Sequence, residues 1–583
     1  MREDTNTPTR SVDWLVLGAG AGGLAAALAG AIRGFSVLVC EKSGWVGGTT
    51  ATSAGTLWVP GNRESREAGW NHDSVESAAR YLEALLPDAG AGRDVRSAFL
   101  EHAAAAIDWY AERSDVRFLP CGRHPDYLSL PDAAIEGRAI IPAPFDGRAL
   151  RGNFRRVRPP IPEFLVCGGM MVGKADIPLL LDRWRSWKGF RHSAALMARH
   201  AADRLRYPRG TRLVMGNALV ARLYASLLRR QVPIWFEAPL LELCWEDGRV
   251  VGATLADKPG SPPRRVTARR GVVLATGGIA RNAELRGRLL APPVPDSMAV
   301  PENTGDGIAA AAGRARVTAP GEHLSGAFWA PASRTGGSGW AGLFPHLVMD
   351  RAKPGLIAVD RRGRRFANEA DSYHHFAEAM LRLPAGGDGA PPAWLVCTAG
   401  FIERYGLGAI HPGTTRLAPY VRRGWLNVAD SPAALAAQLG LDAGALRETV
   451  ERYNAMALHG VDADFGKGES ELNRFNGDPG HQPNPCMAPL DQGPFCAMGI
   501  WPAEIGCSAG LETDADARVL QPDGTPIAGL YACGNDMASV MRGTYPGPGT
   551  TLGPALVFAY LAARHAESVS PTAPGPRQSE AST

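Results

Sequence analysis

The chain has 583 residues, too many for a single hydrophobic core, so two domains or one large composite domain are expected. Its 62 Lys and Arg residues nearly balance 58 Asp and Glu residues, and the net charge of +4 is spread without a long basic run. Nucleic acid and anionic membrane are therefore not the expected partners.

The cysteines and the chain ends indicate where the protein works. Nine cysteines are scattered singly, without a CxxC pair or a spacing typical of zinc or iron–sulfur ligands. No metal site is predicted, and a cytoplasmic location is expected, with the periphery of a membrane as the alternative. Residues 1–12 are polar rather than a signal peptide, no transmembrane segment is evident, and residues 571–583 are expected to form a disordered tail.

The first motif is a glycine-rich loop between a strand and a helix. An apolar stretch, Trp14–Leu17, leads into Gly18-x-Gly20-x-x-Gly23 and then into an Ala/Leu-rich segment. Gly18 permits a tight turn, Gly20 lets the backbone approach a pyrophosphate, and Gly23 lets the helix pack close to the strand. This order predicts a Rossmann dinucleotide site. Its predicted contacts are Gly18, Gly20, Ala21, Gly22 and Gly23.

Further strand ends favour FAD over NAD. A second strand, Ser36–Cys40, ends at Glu41, which suits a ribose hydroxyl, and small residues follow it. The stretches 269–282 and 529–536 are also strands that end in glycine and polar residues. Three such junctions imply an extended cofactor that crosses the sheet. The predicted contacts here are Glu41, Lys42, Gly48, Thr49, Thr50, Ser53, Ala54, Gly55, Ala275, Thr276, Gly277, Gly534 and Asn535.

Over nearly its whole length the chain resembles the flavoprotein family of fumarate reductases, succinate dehydrogenases and ketosteroid dehydrogenases. The resemblance implies an α/β protein with a Rossmann-like FAD-binding domain, residues 1–322 plus 506–570, and an inserted α+β catalytic domain, residues 323–505. It also places Leu241 in a strand beside the adenine. The family's histidine that bonds covalently to FAD is missing from the stretch 49–58, so noncovalent FAD is expected.

One segment bears on the substrate. Fumarate chemistry requires cations that clamp two carboxylates, and the reductases carry a histidine motif after the segment equivalent to residues 303–313. Here the chain continues with His323 and then Phe328 and Trp329. Such an aromatic pair favours a flat apolar ligand over a dicarboxylate, so Phe328 and Trp329 are predicted to bind substrate.

The C-terminal stretch TYPGPGTTLGPALVFAYLAA resembles the signature of 3-ketosteroid Δ1-dehydrogenases. In that family the tyrosine hydroxyl and a glycine N–H hold the C3 carbonyl of the steroid, and the matching residues are Tyr545 and Gly549. Such a pair forms an oxyanion hole for the developing enolate. The helix that begins near Pro554 would direct its N-terminus at the flavin, with Gly549, Thr551 and Leu552 as cofactor contacts.

Two more tyrosines match family positions. The stretch NEADSYHHF resembles the motif whose tyrosine removes the C2 proton, here Tyr373, and HPDYLSL resembles the motif of a supporting tyrosine, here Tyr127. The family often has a second tyrosine where this chain has Leu128. A phenol is a weak base at neutral pH, so the site is expected to lower the pKa of Tyr373 through a hydrogen bond from Tyr127.

The resemblance therefore implies FAD-dependent formation of a C1=C2 double bond in a 3-ketosteroid, as a step of steroid metabolism. Three alternatives stay open: a relative that acts at C4–C5 or on a non-steroid cyclic ketone, a reductase of an activated C=C bond, and a non-catalytic FAD-binding redox partner. The electron acceptor is predicted to be a quinone or another carrier, because no second dinucleotide motif is evident. The stretch 185–215, rich in Arg, His and Ala, is predicted to be a helical excursion of unknown role.

Overall fold

The fold is described from a computed structural model of the chain. The residues that it describes are 9–86, 92–162, 165–173, 176–257, 261–290, 294–319, 321–336, 342–347, 350–384 and 389–571. The predicted disordered tail lies outside these residues except for its first position. Among the described residues, no helix combines the length and the apolar character needed to cross a bilayer.

The strands are β1 Thr9–Leu17, β2 Val37–Cys40, β3 Leu57–Trp58, β4 Phe118–Pro120, β5 Ala139–Pro142, β6 Phe145–Asp146, β7 Leu165–Val166, β8 Met170–Met171, β9 Arg212–Leu213, β10 Ile234–Trp235, β11 Leu240–Glu246, β12 Arg249–Leu255, β13 Arg264–Leu274, β14 Ala327–Arg334, β15 Leu343–Pro345, β16 Leu356–Asp360, β17 Ala393–Thr398, β18 Asn427–Ala429, β19 Phe495–Cys507, β20 Arg518–Leu520 and β21 Pro526–Ala532.

The α-helices are α1 Ala21–Ile32, α2 Arg63–Glu67, α3 Val75–Leu85, α4 Arg93–Arg113, α5 Asp176–Leu181, α6 Trp187–Arg204, α7 Met215–Arg229, α8 Ala283–Leu289, α9 Asp306–Ala310, α10 Tyr373–Leu381, α11 Ala399–Tyr405, α12 Ala418–Arg422, α13 Pro432–Leu439, α14 Ala443–His459, α15 Glu471–Asn476 and α16 Leu552–Ser568.

The larger sheet contains the strands around the glycine loop. Its order is β10-β2-β1-β13-β12-β11, and β21 pairs with β13 in parallel. Strands β1, β2, β10, β13 and β21 run parallel, and the inner residues of all but the edge strand β10 are apolar and buried, as in α/β sheets covered on both faces. Because β21 comes from near the end of the chain, the fold of this sheet is complete only when Val272 of β13 has paired with Leu530 of β21.

Buried helices cover this sheet. Helix α1 packs against α16 and α7, and α16 also packs against α4. The first ten residues of α1 are all buried, which explains why the segment is Ala-, Gly- and Leu-rich rather than amphipathic. The ends of α1 and α16 that face the strand ends thus become available to a ligand at the carboxyl edge of the sheet.

The smaller sheet belongs to the middle of the chain. Its order is β15-β14-β19-β17-β16, with β18 paired to β19, and all of its pairings are antiparallel. The predicted division into 1–322 plus 506–570 and 323–505 stays a prediction. The strands of the two sheets fall on either side of those boundaries, except that the second boundary lies inside β19, near its end.

A buried ion-pair network lies beside the smaller sheet. The Glu369 carboxylate accepts hydrogen bonds from the Arg365 guanidinium at 2.8 and 2.9 Å and lies 3.3 Å from Lys467 Nζ. Arg365 also pairs with Asp462. Burial alone would raise the pKa of Glu369, but the charges of Arg365 and Lys467 lower it to about 2. The network fixes the segment just before Tyr373.

We expect the Glu369→Gln variant to be destabilised at pH 7, by about 3–5 kcal/mol, because two buried cations lose their anion. The lowered pKa means that Glu369 stabilises the wild-type fold above its unfolded pKa and loses that contribution as the pH falls towards about 2. Wild-type Tm should therefore fall more steeply than that of the variant between about pH 5 and pH 2. Thermal unfolding followed by circular dichroism measures both effects.

The exposed pair Arg447–Glu451 provides the control. A Glu451→Gln variant should leave the Tm and its pH dependence close to those of the wild type, because an exposed ion pair contributes little. Equal shifts in the Glu369 and Glu451 variants would contradict the stabilising role of the buried network.

Candidate active site

A long cavity runs from the glycine loop to the three predicted tyrosines. Every predicted cofactor residue lines it except Gly23 and Leu241, and Tyr127, Tyr373 and Tyr545 line its other end. Residues that were predicted from local strand–loop patterns in separate parts of the chain thus line one common cavity. The predicted contacts themselves stay predictions.

The glycines of the loop differ in the space around them, and this space explains how the loop could hold a pyrophosphate. Gly18 has φ +105°, and a Cβ on it would lie 2.1 Å from the Ala275 carbonyl oxygen. A Cβ on Gly23 would lie 2.0 Å from the Gly18 oxygen, so Gly23 serves helix–strand packing and does not line the cavity. Gly20 has open space beside it, which leaves room for a phosphate at the start of α1.

Glu41 is held in place by backbone amides. Its carboxylate accepts hydrogen bonds from the N–H groups of Ala19 and Ser43, each at 2.8 Å. Burial raises the pKa of Glu41. The Lys42 ammonium contacts the Asp306 carboxylate at 3.0 Å. Glu41 lines the cavity at the end of β2, where a ribose hydroxyl is expected.

Asp536 is a structural residue that the sequence interpretation missed. It is fully buried, and its carboxylate accepts hydrogen bonds from the Thr276 hydroxyl at 2.8 Å and the Gly278 N–H at 2.8 Å. These contacts connect the strand end after β13 to the strand end after β21. The only available signal was its place directly after the polar position Asn535.

Three predicted side-chain contacts lie away from this cavity, and their roles stay predictions. Leu241 lies on β11 but is half exposed and does not line the cavity; Leu240, its neighbour, does, because alternate strand residues face opposite ways. Trp329 is fully buried in the main core, where its indole N–H donates to Ser325 Oγ. Phe328 also lies outside this cavity and packs edge-on against Tyr545, with ring centroids 5.2 Å apart.

The three tyrosines form one buried cluster. The hydroxyl oxygens of Tyr373 and Tyr545 are 2.9 Å apart, and those of Tyr127 and Tyr373 are 3.4 Å apart. The Tyr127 and Tyr545 rings are stacked with an angle of 9°, and the ring of Tyr373 stands nearly perpendicular to them. Three residues that are remote in sequence thus bring their phenol groups to one end of the cavity.

A turn at residues 546–549 holds two of these tyrosines together. The Pro546 carbonyl accepts hydrogen bonds from the Tyr127 N–H and the Tyr81 hydroxyl, both at 2.8 Å. The Gly549 carbonyl accepts from the Trp58 N–H at 3.2 Å. The turn therefore lies between the strand that carries Trp58 and the segment that carries Tyr127.

The glycines in this turn are required by close contacts. A Cβ on Gly547 would lie 2.6 Å from an oxygen of Asp126, whose buried carboxylate also accepts from the Trp58 indole at 2.8 Å. Gly549 has φ +92°, and a Cβ on it would lie 2.5 Å from the Thr56 oxygen. Among the described residues, no acceptor bonds the Gly549 N–H. Gly549 and Tyr545 both line the cavity.

The expected lowering of the Tyr373 pKa is not observed. Burial raises the pKa of Tyr373 well above its ordinary value, and the neighbouring Tyr127 raises it further. Burial likewise raises the pKa values of Tyr127 and Tyr545. The phenols crowd one another in a dry site, so each disfavours the charge of the next.

His374, which follows the predicted base, contributes to the cluster through its neighbours. Its Nδ1 accepts a hydrogen bond from the Trp329 N–H at 3.1 Å, and its ring centroid lies 5.5 Å from that of Tyr545. Nε2 faces the Glu378 carboxylate at 3.3 Å. The buried imidazole therefore supports the Tyr545 ring from the side of the smaller sheet.

Comparisons with known proteins identify the family of the chain. Residues 13–552 match the family described as FAD binding domain. A 4-oxocyclohex-2-ene-1-carboxylate 5-dehydrogenase of Sinomonas cyclohexanicum is 38% identical over 565 residues, which cover 95% of this chain and 94% of that protein. A 3-oxosteroid 1-dehydrogenase of Mycolicibacterium smegmatis is 34% identical over 562 residues, 94% of this chain and 96% of that protein.

A solved structure extends the comparison to three dimensions. The crystal structure of 3-ketosteroid delta1-dehydrogenase from Sterolibacterium denitrificans, in complex with 1,4-androstadiene-3,17-dione, has a TM-score of 0.87 and 35% identity, and the match covers 96% of this chain and 100% of that one. The chain belongs to the FAD-binding family of flavoprotein oxidoreductases that includes the 3-oxosteroid 1-dehydrogenases. The predicted fold class, FAD as cofactor and the assignment as an FAD-dependent oxidoreductase acting on CH–CH groups are confirmed. Noncovalent attachment of the FAD stays a prediction.

Proposed function

We propose that the protein dehydrogenates a 3-ketosteroid at C1–C2. The observation that carries this proposal is that Tyr545, Gly549 and Tyr373 line the same cavity as the glycine loop, with the hydroxyls of the two tyrosines 2.9 Å apart. A ketone oxygen between the first two donors would leave its adjacent carbon near the third group. The names of the relatives with 34–35% identity support the steroid as substrate.

The reaction begins at the carbonyl. Tyr545 and Gly549 donate hydrogen bonds to the C3 oxygen and stabilise the enolate that forms as C2 loses its proton, an effect of about 2–4 kcal/mol per donor in a dry site. Tyr373 removes the C2 proton, and Tyr127 contacts its hydroxyl. A bound FAD, held by residues of the cavity that include Gly20, Glu41 and Thr49, would supply the acceptor for the hydride from C1. The C1=C2 bond forms from the electron pair released at C2.

The lining near the tyrosines supports a flat apolar ligand. Leu347 and Ile505 pack against the tyrosine cluster and line the cavity, as do Met298 and Pro345. The Arg158 guanidinium, whose residue also lines the cavity, pairs with Glu302 at 2.8 Å. A second candidate substrate is a small cyclic ketone with a carboxylate, because the relative with 38% identity is named for such a compound. The apolar lining favours the steroid.

The location of the protein and its electron acceptor complete the proposal. We propose a cytoplasmic enzyme whose reduced flavin is reoxidised by a quinone or another small electron carrier. This acceptor follows from the absence of a second dinucleotide motif in the sequence.

A substrate panel tests the function. Holoenzyme mixed anaerobically with androst-4-ene-3,17-dione should bleach the oxidised flavin band and yield the 1,4-diene. The same experiment with 4-oxocyclohexanecarboxylate should be at least tenfold slower. Bleaching by the carboxylate alone would replace the steroid with the second candidate, and no bleaching by either would contradict the proposed dehydrogenation.

The Tyr373→Phe variant should retain FAD and reduce it about 10²–10⁴-fold more slowly, because the general base is lost. Single-turnover bleaching of the flavin by the steroid measures this rate. Tyr453→Phe is the matched control, since Tyr453 is fully buried and its hydroxyl has no hydrogen-bond partner among the described residues. A normal rate in the Tyr373 variant would remove this residue from the mechanism.

A further inference from the structure

The excursion around α5 and α6 concentrates positive charge that the whole-chain average conceals. Residues 182–206 contain seven Arg and Lys but only two Asp, whereas the entire chain has a net charge of +4. Arg183, Arg185, Lys188 and Arg191 are all exposed. The rest of the chain is therefore close to neutral, and this segment is its basic region.

Large aromatic side chains are exposed within the same segment. Trp184 is 78% exposed, Trp187 74% and Phe190 42%. The Trp187 and Phe190 rings are stacked, with centroids 5.6 Å apart, and Trp184 lies 6.4 Å from Phe190. Together with the four basic residues they form a patch that we call the basic aromatic surface.

The outward face of α6 continues this surface. At about 100° per residue, positions 187, 190, 194, 197 and 201 fall on one side of the helix, and all five are exposed. They are Trp187, Phe190, Ala194, Met197 and Ala201. An apolar face that normally points to a core here points to solvent.

The opposite face of α6 is already used by the protein. Ser193, Leu196 and His200 are buried, and the Asp203 carboxylate accepts hydrogen bonds from Arg148 Nε at 2.9 Å and the Thr211 N–H at 2.7 Å. The helix is thus fixed to the body by one side, and its apolar side is left uncovered by the part of the chain that the structure describes.

We propose that the basic aromatic surface docks on an anionic phospholipid bilayer. Trp and Phe rings enter the headgroup region, and Arg and Lys beside them attract anionic lipids, as in interfacial amphipathic helices. Charge complementarity favours the anionic bilayer over a second copy of the chain, because a second copy would place two basic regions against each other. This docking is independent of the proposed function, although an apolar ketone would also concentrate in the bilayer.

Vesicle sedimentation tests the docking. The holoenzyme should sediment with vesicles of phosphatidylcholine and phosphatidylglycerol, at least tenfold more tightly than with phosphatidylcholine alone, and salt should weaken the binding. A W184S/W187S/F190S variant and an R183Q/R185Q/K188Q/R191Q variant should each lose at least tenfold in affinity. Their FAD content should stay unchanged.

The control removes the same charge elsewhere. Arg361, Arg362, Arg422 and Arg423 are exposed arginines outside the surface, and an R361Q/R362Q/R422Q/R423Q variant should sediment like the wild type. No binding to anionic vesicles, or an equal loss in this control, would overturn the proposal. A dimer in light scattering that the aromatic variant abolishes, without vesicle binding, would overturn it in favour of self-association.

Arg351 is buried near Tyr373, the predicted base. Its guanidinium donates to the carbonyls of His346 at 2.8 Å, Leu347 at 3.0 Å, Glu369 at 2.7 Å and Asp371 at 3.1 Å. Among the described residues it forms no ion pair with a carboxylate. One cation thereby fastens the cavity wall at Leu347 to the segment that leads into Tyr373.

The carboxylates around Arg351 are engaged with other groups. Asp350 pairs with His346 at 2.5 Å, Glu369 pairs with Arg365, and Asp371 accepts a hydrogen bond from Asn473 at 3.1 Å. The groups that face Tyr373 are the phenols of Tyr127 and Tyr545 and the charge of Arg351, which lowers the pKa of Tyr373 against the larger effect of burial.

We infer that Arg351 is a positioning residue that aims Tyr373 and supplies the positive charge that its phenolate needs. This inference rests on the proposed function. In the Arg351→Gln variant the alkaline pKa in the pH profile of flavin reduction should rise by about 1 unit or more, because a nearby cation is removed. Arg351→Lys, which keeps the charge, should retain the wild-type pKa even if its rate falls.

Anaerobic flavin bleaching by androst-4-ene-3,17-dione over a range of pH measures the profile. An unchanged pKa in Arg351→Gln, or equal shifts in the Gln and Lys variants, would overturn the inference. If the Gln variant does not retain FAD, a shifted pKa in Arg351→Lys alone overturns it. Failure of the wild-type enzyme to reduce its flavin would instead contradict the proposed function.

Discussion

The Pro546 carbonyl is the contact on which the arrangement of this site depends. It accepts hydrogen bonds from the Tyr127 backbone and the Tyr81 hydroxyl, and so joins the C-terminal turn to a segment more than 400 residues earlier. The flanking prolines restrict the turn, and Gly547 lets it approach the Asp126–Trp58 pair. Without this junction Tyr127 and Tyr545 would have no fixed distance, and the three phenols would not share one end of the cavity.

The dinucleotide site could be predicted because its signals are local. Gly23 is dictated by its contact with Gly18 within one strand–loop–helix unit, and the glycine spacing of that unit predicts Gly18 as well, although the atoms that crowd Gly18 belong to Ala275. The tyrosines required a different source, since nothing in the composition around Tyr127 or Tyr373 brings them together. Resemblance to a family supplied that tertiary information.

The differences between the sequence interpretation and the structure have physical reasons too. Leu241 and Leu240 differ only in which way a strand residue points, and Trp329 was assigned to the substrate by size although its neighbours bury it in the core. The pKa of Tyr373 was expected to fall because only a hydrogen bond was considered; desolvation by the surrounding fold is larger. Asp536, Asp126 and Arg351 act through backbone groups of other segments, which a single sequence does not display.

The cofactor cavity has walls from both extremes of the chain, from Leu17 to Ala555. A ribosome must therefore release almost the entire polypeptide before the flavin can be enclosed. Until then the parallel strand edge at β13, which later receives β21, remains unpaired and open to wrong partners. The cofactor can therefore be captured only at the last step of folding, after the C-terminal strand has been added to the sheet.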